Sequence, residues 1–281
     1  MRKKLLLALL TLVMILGSSL WVYAVDTYGG YAVPVDIAVN GSFIKCAQKP
    51  IMINNSTYIP LRAFADAIGG GISWDAGQKA ATFTKGSNTF VFYSGRNYCT
   101  VNGAQKSYAA VNYKDLLFIP VRFVSESLGY GVEWDSLYLT VKIAAPGVSV
   151  ADKHKDYSYS FDDMLYLGRI TQLESGSQTF KTKIAVCNTI LNRVKSSEFP
   201  NNVKDVIFDT RYGVQFPPAH TDRMNNTPSK ECMIAAKCAL NGVNLVGGSL
   251  YFVDVEYATS DSWVHTNRTL YTTIGVTNFY K

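Results

Sequence analysis

The strongest constraint on this chain is that its first half runs twice through the same grammar. Val39-Asn40-Gly41, Ile59-Pro60-Leu61-Arg62, Ala67-Ile68-Gly69 and Ser73-Trp74-Asp75 recur as Val101-Asn102-Gly103, Ile119-Pro120-Val121-Arg122, Ser127-Leu128-Gly129 and Glu133-Trp134-Asp135. Pro60 to Trp74 and Pro120 to Trp134 have the same length, so the two halves must share one structural plan. Each copy specifies an Asn-Gly turn, an apolar strand, a helix entered through proline, a glycine that ends it, and a strand carrying the tryptophan. In the second copy Phe123, Val124 and Leu128 fall at helical spacing ahead of Gly129, which predicts a helix over Val121 to Leu128. Alternating strands are expected at Ala80 to Thr84 and Leu137 to Ile143. The result is a two-repeat α+β module over residues 35–143. In it Trp74 and Trp134 read as core anchors rather than glycan platforms. Arg62 and Arg122 read as partners of Asp75 or Asp135, the duller account beside binding something acidic.

The flanks set compartment and partners. Arg2-Lys3-Lys4, the apolar run Leu5 to Leu16 and Val22-Tyr23-Ala24 have the layout of a signal peptide over residues 1–24. Leu5 to Tyr23 would also just span a bilayer, but Gly17-Ser18-Ser19 interrupts it, so removal is expected and with it any membrane attachment. Formal net charge is +6, and three of those charges leave with the signal. The balance suits a polyanionic wall, and the absence of a lysine-rich stripe or arginine cluster argues against nucleic acid. Five cysteines and three scattered histidines show no metal-ligand spacing, so neither metal nor cofactor is expected. Buried free thiols are the default, with a Cys46 to Cys99 bridge as the one pairing the first module allows. Residues 144–159, opening Ala-Ala-Pro-Gly, read as a linker.

Residues 160–281 form a second α+β domain with helices framing a cleft. Ser160-Phe161-Asp162-Asp163 is a capping-box arrangement, and Met164, Leu167, Ile170 and Thr171 trace one face of the helix that follows. Glu174 continues that face, which delivers a carboxylate on the apolar side. Burial raises a carboxyl pKa toward the range of a general acid; the same periodicity also fits a glutamate that only caps or solvates a helix end. Further helices are expected from about Thr179 to Ser196, and from Thr227-Pro228 with threonine as N-cap, ending at Gly242. Gln215, Tyr251 and Trp263 are candidates for a sugar cleft, because glycans are recognised by aromatic faces and amide hydrogen bonds; core packing is the competing account of each.

Two resemblances bear on these motifs. The repeat, with its Val-Asn-Gly, Ile-Pro-x-Arg and Trp-Asp, resembles the copper amine oxidase N-terminal-like stalk domain, a module that does not carry the oxidase chemistry. Arg169, Glu174, Leu191-Asn192-Arg193-Val194, Phe199-Pro200-Asn201, Val203 to Ile207, Leu250-Tyr251-Phe252, Thr259-Ser260, Trp263 and Phe279-Tyr280 resemble the SleB/CwlJ-type cell wall hydrolase, spore cortex-lytic enzyme-like, from about Asp163 onward. That resemblance implies a lysozyme-like fold and cleavage of peptidoglycan glycan strands by hydrolysis or lytic transglycosylation, with Glu174 as acid and base. Several positions depart from the pattern. Gln178 stands where a second glutamate is common, Asp254 where an asparagine is usual, Thr277 near a usual histidine, and Leu173 and Ser175 where alanines are usual. Asp254 joins Gln215, Tyr251 and Trp263 among the expected substrate-binding residues. The expected partners are peptidoglycan glycan strands, with envelope polymers held through the repeats, in a secreted protein of the cell wall or spore envelope. The competing class is a catalytically weak or inactive protein that only grips peptidoglycan; an amidase or peptidase would need a metal or a nucleophile dyad that is not recognisable.

Overall fold

The computed structural model describes residues 26–257, 259 and 262–281; the expected signal peptide lies outside the described residues, as does Ser260. The duplication is visible in the backbone. Asn40 and Asn102, Gly41 and Gly103, Gly69 and Gly129, and Lys79 and Leu139 occupy left-handed conformations in pairs, so each copy turns its chain at the same places. The matched hairpin tips Asn54-Asn55 and Lys114-Asp115 are also left-handed at both residues, the twist that suits a two-residue hairpin loop.

Pairing of these strands produces three sheets. A five-stranded sheet has the order 104–106, 99–101, 88–93, 80–85 and 71–75. A four-stranded sheet joins the two copies through Ser56–Pro60 against Leu116–Pro120. The third closes the module: Asp36–Val39 lies parallel to the strand Thr140–Ala144, with Thr140 opposite Asp36 and Ile143 opposite Val39. Helices α1 (Leu61–Ile68) and α2 (Val121–Ser127) begin directly after Pro60 and Pro120. Their inner faces, with Phe64, Phe83, Phe90 and Phe92, form one fully buried core.

Several expectations for the module are corrected. Trp74 is 56% exposed, because it sits on an edge strand of the five-stranded sheet. Trp134 holds the equivalent place but is half-buried, since the second domain covers that edge and the indole packs against the cores of both domains. Neither arginine pairs with its Asp: Arg122 donates to Glu126 and to the Val132 carbonyl, while Asp135 takes Lys142 and the N–H groups of Leu137 and Tyr138. Those last two bonds turn the chain after Asp135, so the final strand starts at Thr140 rather than Leu137. Cys46 and Cys99 are not bridged, and all five thiols are free.

The second domain packs α3 (Phe161–Ser175), α4 (Phe180–Lys195), α5 (Val203–Ile207) and α6 (Lys230–Leu240) around one core. A short α7 (Trp263–Asn267) and a three-stranded antiparallel sheet, 251–254, 277–280 and 270–274, complete it. Ser160 forms the expected capping box with Asp163, and Thr179 caps α4. The cap of α6 is Ser229 instead of Thr227, because the Ser229 N–H is taken by Gln172 of α3 and its hydroxyl accepts from Cys232.

The segment 144–159 connects the two units without running free. Ala145 and Val150 are buried in the module's core, Ile44 bridges to Lys155, and the Tyr159 hydroxyl donates to Asp36 at 2.9 Å. The domains share further apolar contacts, with Phe161 packed on Phe43 at 4.4 Å and edge-on to Tyr138 at 4.9 Å. At their centre the Lys237 ammonium, fully buried, meets Asp36 Oδ2 at 2.8 Å and donates to the carbonyls of Tyr138 and Leu139 at 2.8 and 2.9 Å. Among the described residues no helix is long and apolar enough to cross a membrane.

Candidate active site

Glu174 sits in the last turn of α3, one position before the buried Ser175. The face that carries it is the apolar one: Met164, Leu167, Ile170 and Thr171 are all completely buried. The Ser175 hydroxyl donates back to the Thr171 carbonyl at 3.0 Å, so the helix end is fixed. The loop to α4 is pinned from below by Lys183, itself buried, which donates to the Gln178 carbonyl at 2.6 Å and pairs with Glu231 at 3.2 Å.

The Glu174 carboxyl is half-buried, and its Oε1 is shielded from solvent without a hydrogen-bond partner. Its pKa is pushed up to about 7, first by burial and then by the Asp254 carboxylate, against a smaller opposing pull from Arg193. A carboxyl with an unsatisfied oxygen and a pKa near neutrality is poised to give or take a proton. Asp254 belongs to the strand 251–254, directly across from Thr277. The Thr277 hydroxyl lies 2.7 Å from Asp254 Oδ1 and 2.9 Å from Gln178 Oε1, and the Gln178 amide donates to the same Asp254 oxygen at 3.3 Å. Three of the positions that depart from the family pattern, Gln178, Asp254 and Thr277, therefore form one hydrogen-bonded cluster beside Glu174.

Sequence reasoning gave no role to Arg193, which the fold buries. Its guanidinium lies over the rings of Phe199, Phe216 and Tyr251 at 4.8, 5.1 and 5.5 Å, and its Nε donates to the Leu250 carbonyl at 2.7 Å. Burial draws its pKa down to about 10, and its Nη1 is left unpaired. The available signal was positional: Arg193 follows Ile190 by three residues and Val186 by seven, the buried face of α4.

The expected sugar contacts divide. Tyr251 and Trp263 meet edge-to-face at 5.7 Å; Arg268 lies over both rings and donates to the Tyr251 hydroxyl at 2.9 Å. Trp263 is 55% exposed, so its ring is open to a ligand rather than packed in the core. Gln215 is not brought to Glu174 by any contact; its amide donates to the Gly213 carbonyl of its own loop. A cavity between the domains lies elsewhere, and none of these site residues lines it. Among the described residues no group of three or more His, Cys, Asp and Glu is arranged to hold a metal.

Comparison with known proteins finds two family matches in separate parts of the chain. Residues 38–145 match the copper amine oxidase N-terminal domain family and residues 177–280 match the Cell Wall Hydrolase family. The second match begins three residues after Glu174. A spore cortex-lytic enzyme of Bacillus cereus is 33% identical over 108 residues, 38% of this chain and 40% of that protein. One from Halalkalibacterium halodurans is 31% identical over 106 residues, 38% of this chain and 31% of its own length. The chain thus spans well under half of the curated relatives it matches. The catalytic domain of the Bacillus cereus SleB protein is a similar solved structure, at 31% identity, with a TM-score of 0.40 over 44% of this chain and 92% of that one.

Proposed function

We propose that this chain, whose C-terminal domain belongs to the cell wall hydrolase family, cleaves peptidoglycan glycan strands with Glu174 as general acid and then base. The observation that carries the proposal is the Glu174 carboxyl itself: half-buried, unsatisfied at Oε1, and raised to about 7. Near neutral pH a large fraction of it is protonated, so it can hand its proton to the glycosidic oxygen as the bond to the muramic C1 breaks. The resulting carboxylate then accepts a proton from the incoming nucleophile. If that nucleophile is the muramic C6 hydroxyl, the ring closes to an anhydro product; if it is water, a reducing end results.

Asp254, fixed by Thr277 and Gln178, contributes in two ways. Its negative charge keeps Glu174 protonated, and it faces the positive charge that develops on the sugar ring as the bond loosens. Trp263 and Tyr251 offer the aromatic surface on which a sugar stacks. Gln215 has no such support from its surroundings and is the weakest member of the set. The repeats contribute contacts to envelope polymers, and the site of action is the cell wall or spore envelope of an exporting cell.

Digestion of purified peptidoglycan by the chain and by Glu174→Gln tests the reading. Soluble muropeptides should appear only with the former, and mass spectrometry of their ends distinguishes anhydro-muramic from reducing product. Equal release by both would move the chemistry to another residue, and no release by either would favour a protein that only grips the polymer.

A further inference from the structure

A cavity of about 1020 Å³ opens where the second repeat, the hairpin tip of the first repeat and the N-terminal end of α6 meet. That volume lies at the top of the roughly 300–1,000 Å³ range of small-ligand pockets, which is more than a single sugar ring requires. Its walls combine two kinds of chemistry. Tyr108 is 46% exposed and lies flat on Phe123, with ring centroids 3.8 Å apart and planes 13° from parallel. A tyrosine held in that way is a stacking surface with little rotamer freedom left to lose. Trp134 contributes a second, half-buried ring. The polar side is made by the tip Asn54-Asn55, whose backbone N–H groups are already taken by the Asp26 carboxylate at 3.1 and 3.0 Å, leaving the amide side chains exposed. Arg122 and Glu126 neutralise each other at 3.2 Å, whereas Lys230 is exposed and has no partner among the described residues.

We infer that this interdomain cleft is a second glycan-binding site, taking an oligosaccharide that carries amide substituents and at least one carboxylate. Aromatic faces serve the sugar rings, the asparagine amides pair with acetamido groups, and Lys230 receives the carboxylate. The inference rests on the proposed function for the identity of the polymer. Its position follows from the fold. Lys230 adjoins Glu231, which pairs with Lys183, and Lys183 holds the Gln178 carbonyl in the loop beside Glu174. Cleft and catalytic carboxyl therefore lie at the same end of the helical domain, where α3 finishes and α4 and α6 begin. A polymer held in the cleft remains close to the residue that cuts it, which raises its effective concentration there.

The test uses the full chain carrying Glu174→Gln, so that ligand is not consumed, with added Tyr108→Ala or Lys230→Ala, in co-sedimentation with insoluble peptidoglycan. Each added change should weaken binding by roughly tenfold, as removal of a stacking or charged anchor does, with the melting temperature unaltered. Unaltered binding with both changes overturns the cleft. Loss of binding only in a variant whose melting transition has also fallen is checked with Asn55→Gly, which removes the amide and keeps the left-handed turn, and unaltered binding there likewise overturns it. Muropeptide release by the unsubstituted chain is scored separately. If that release is absent while the substitutions still weaken binding, the cleft stands and the catalytic reading falls.

Discussion

Replacing Asp36 with alanine should be among the most damaging single changes in the protein, although Asp36 lies more than a hundred residues from Glu174. In the folded chain the Lys237 ammonium is fully buried and has Asp36 as its anion, with two backbone carbonyls as further acceptors. Burial draws the Lys237 pKa down in spite of that anion. Asp36→Ala leaves the ammonium with carbonyl dipoles alone, and breaking a buried pair in this way costs about 3–5 kcal/mol. Set against a typical total stability of about 5–15 kcal/mol, that is a large share. Lys49 does not substitute for the loss, since it lies 4.0 Å from Asp36 and is engaged by Asp156 at 2.7 Å. Urea unfolding of the full chain at neutral pH reads the effect as a drop in midpoint. The double change Asp36→Asn with Lys237→Met removes both charges while roughly keeping volume, and should recover most of the loss. A cost below about 1 kcal/mol for Asp36→Ala, or a double variant no better than the single one, would refute the argument from buried charge.

Catalysis should depend on protonated Glu174, so muropeptide release is expected to fall as pH rises through about 7, measured as a pH–rate profile. Asp254→Asn removes the neighbouring charge that raises Glu174, and should move that alkaline limb to lower pH; a shift upward would contradict the placement. Because the folded pKa lies above the ordinary 4.5, the folded state binds the extra proton between about 4.5 and 7, and Glu174 costs stability progressively as pH rises through that window. Glu174→Gln should therefore be more stable relative to the unsubstituted chain at pH 8 than at pH 4, by thermal melting. Gly168→Ala places a Cβ 2.4 Å from Met233 Sδ between α3 and α6, and should cost about 1–3 kcal/mol in denaturant unfolding. Trp263→Ala should raise KM for a soluble glycan fragment without moving the pH profile, as expected of a residue that stacks on substrate and does not handle protons.

Local chemistry was legible in the sequence wherever a short-range rule decides the backbone. The duplicated turns at Asn40-Gly41 and Asn102-Gly103, the capping box at Ser160 and the face of α3 that ends at Glu174 all follow from spacing within a few residues. What escaped was set by partners distant in the chain. The N-cap of α6 moved to Ser229 because Gln172, on another helix, takes its N–H. Trp74 and Trp134 occupy matched positions, yet one is exposed and the other half-buried, because only the second copy is covered by a neighbouring domain. Lys183, Arg193 and Lys237 sit on core-facing helical positions that a hydrophobic pattern reads as breaks, and the groups that each of them meets there are ones that periodicity cannot locate. The resemblance pointed to Glu174, but the cluster of Gln178, Asp254 and Thr277 around it became coherent only when a strand and a loop about eighty residues apart were seen side by side.

The parallel pairing of Asp36–Val39 with Thr140–Ala144 has a consequence for the order in which the protein can be made. Since the first long strand of the module finds its neighbour in the last, a chain halted before residue 140 lacks the partner strand and leaves an open sheet edge with unsatisfied backbone groups. Closure of such a long loop is slow relative to local hairpins. Half-length fragments should accordingly stay uncommitted and sensitive to protease, and the nascent polypeptide remains threadable until nearly the whole module has been synthesised.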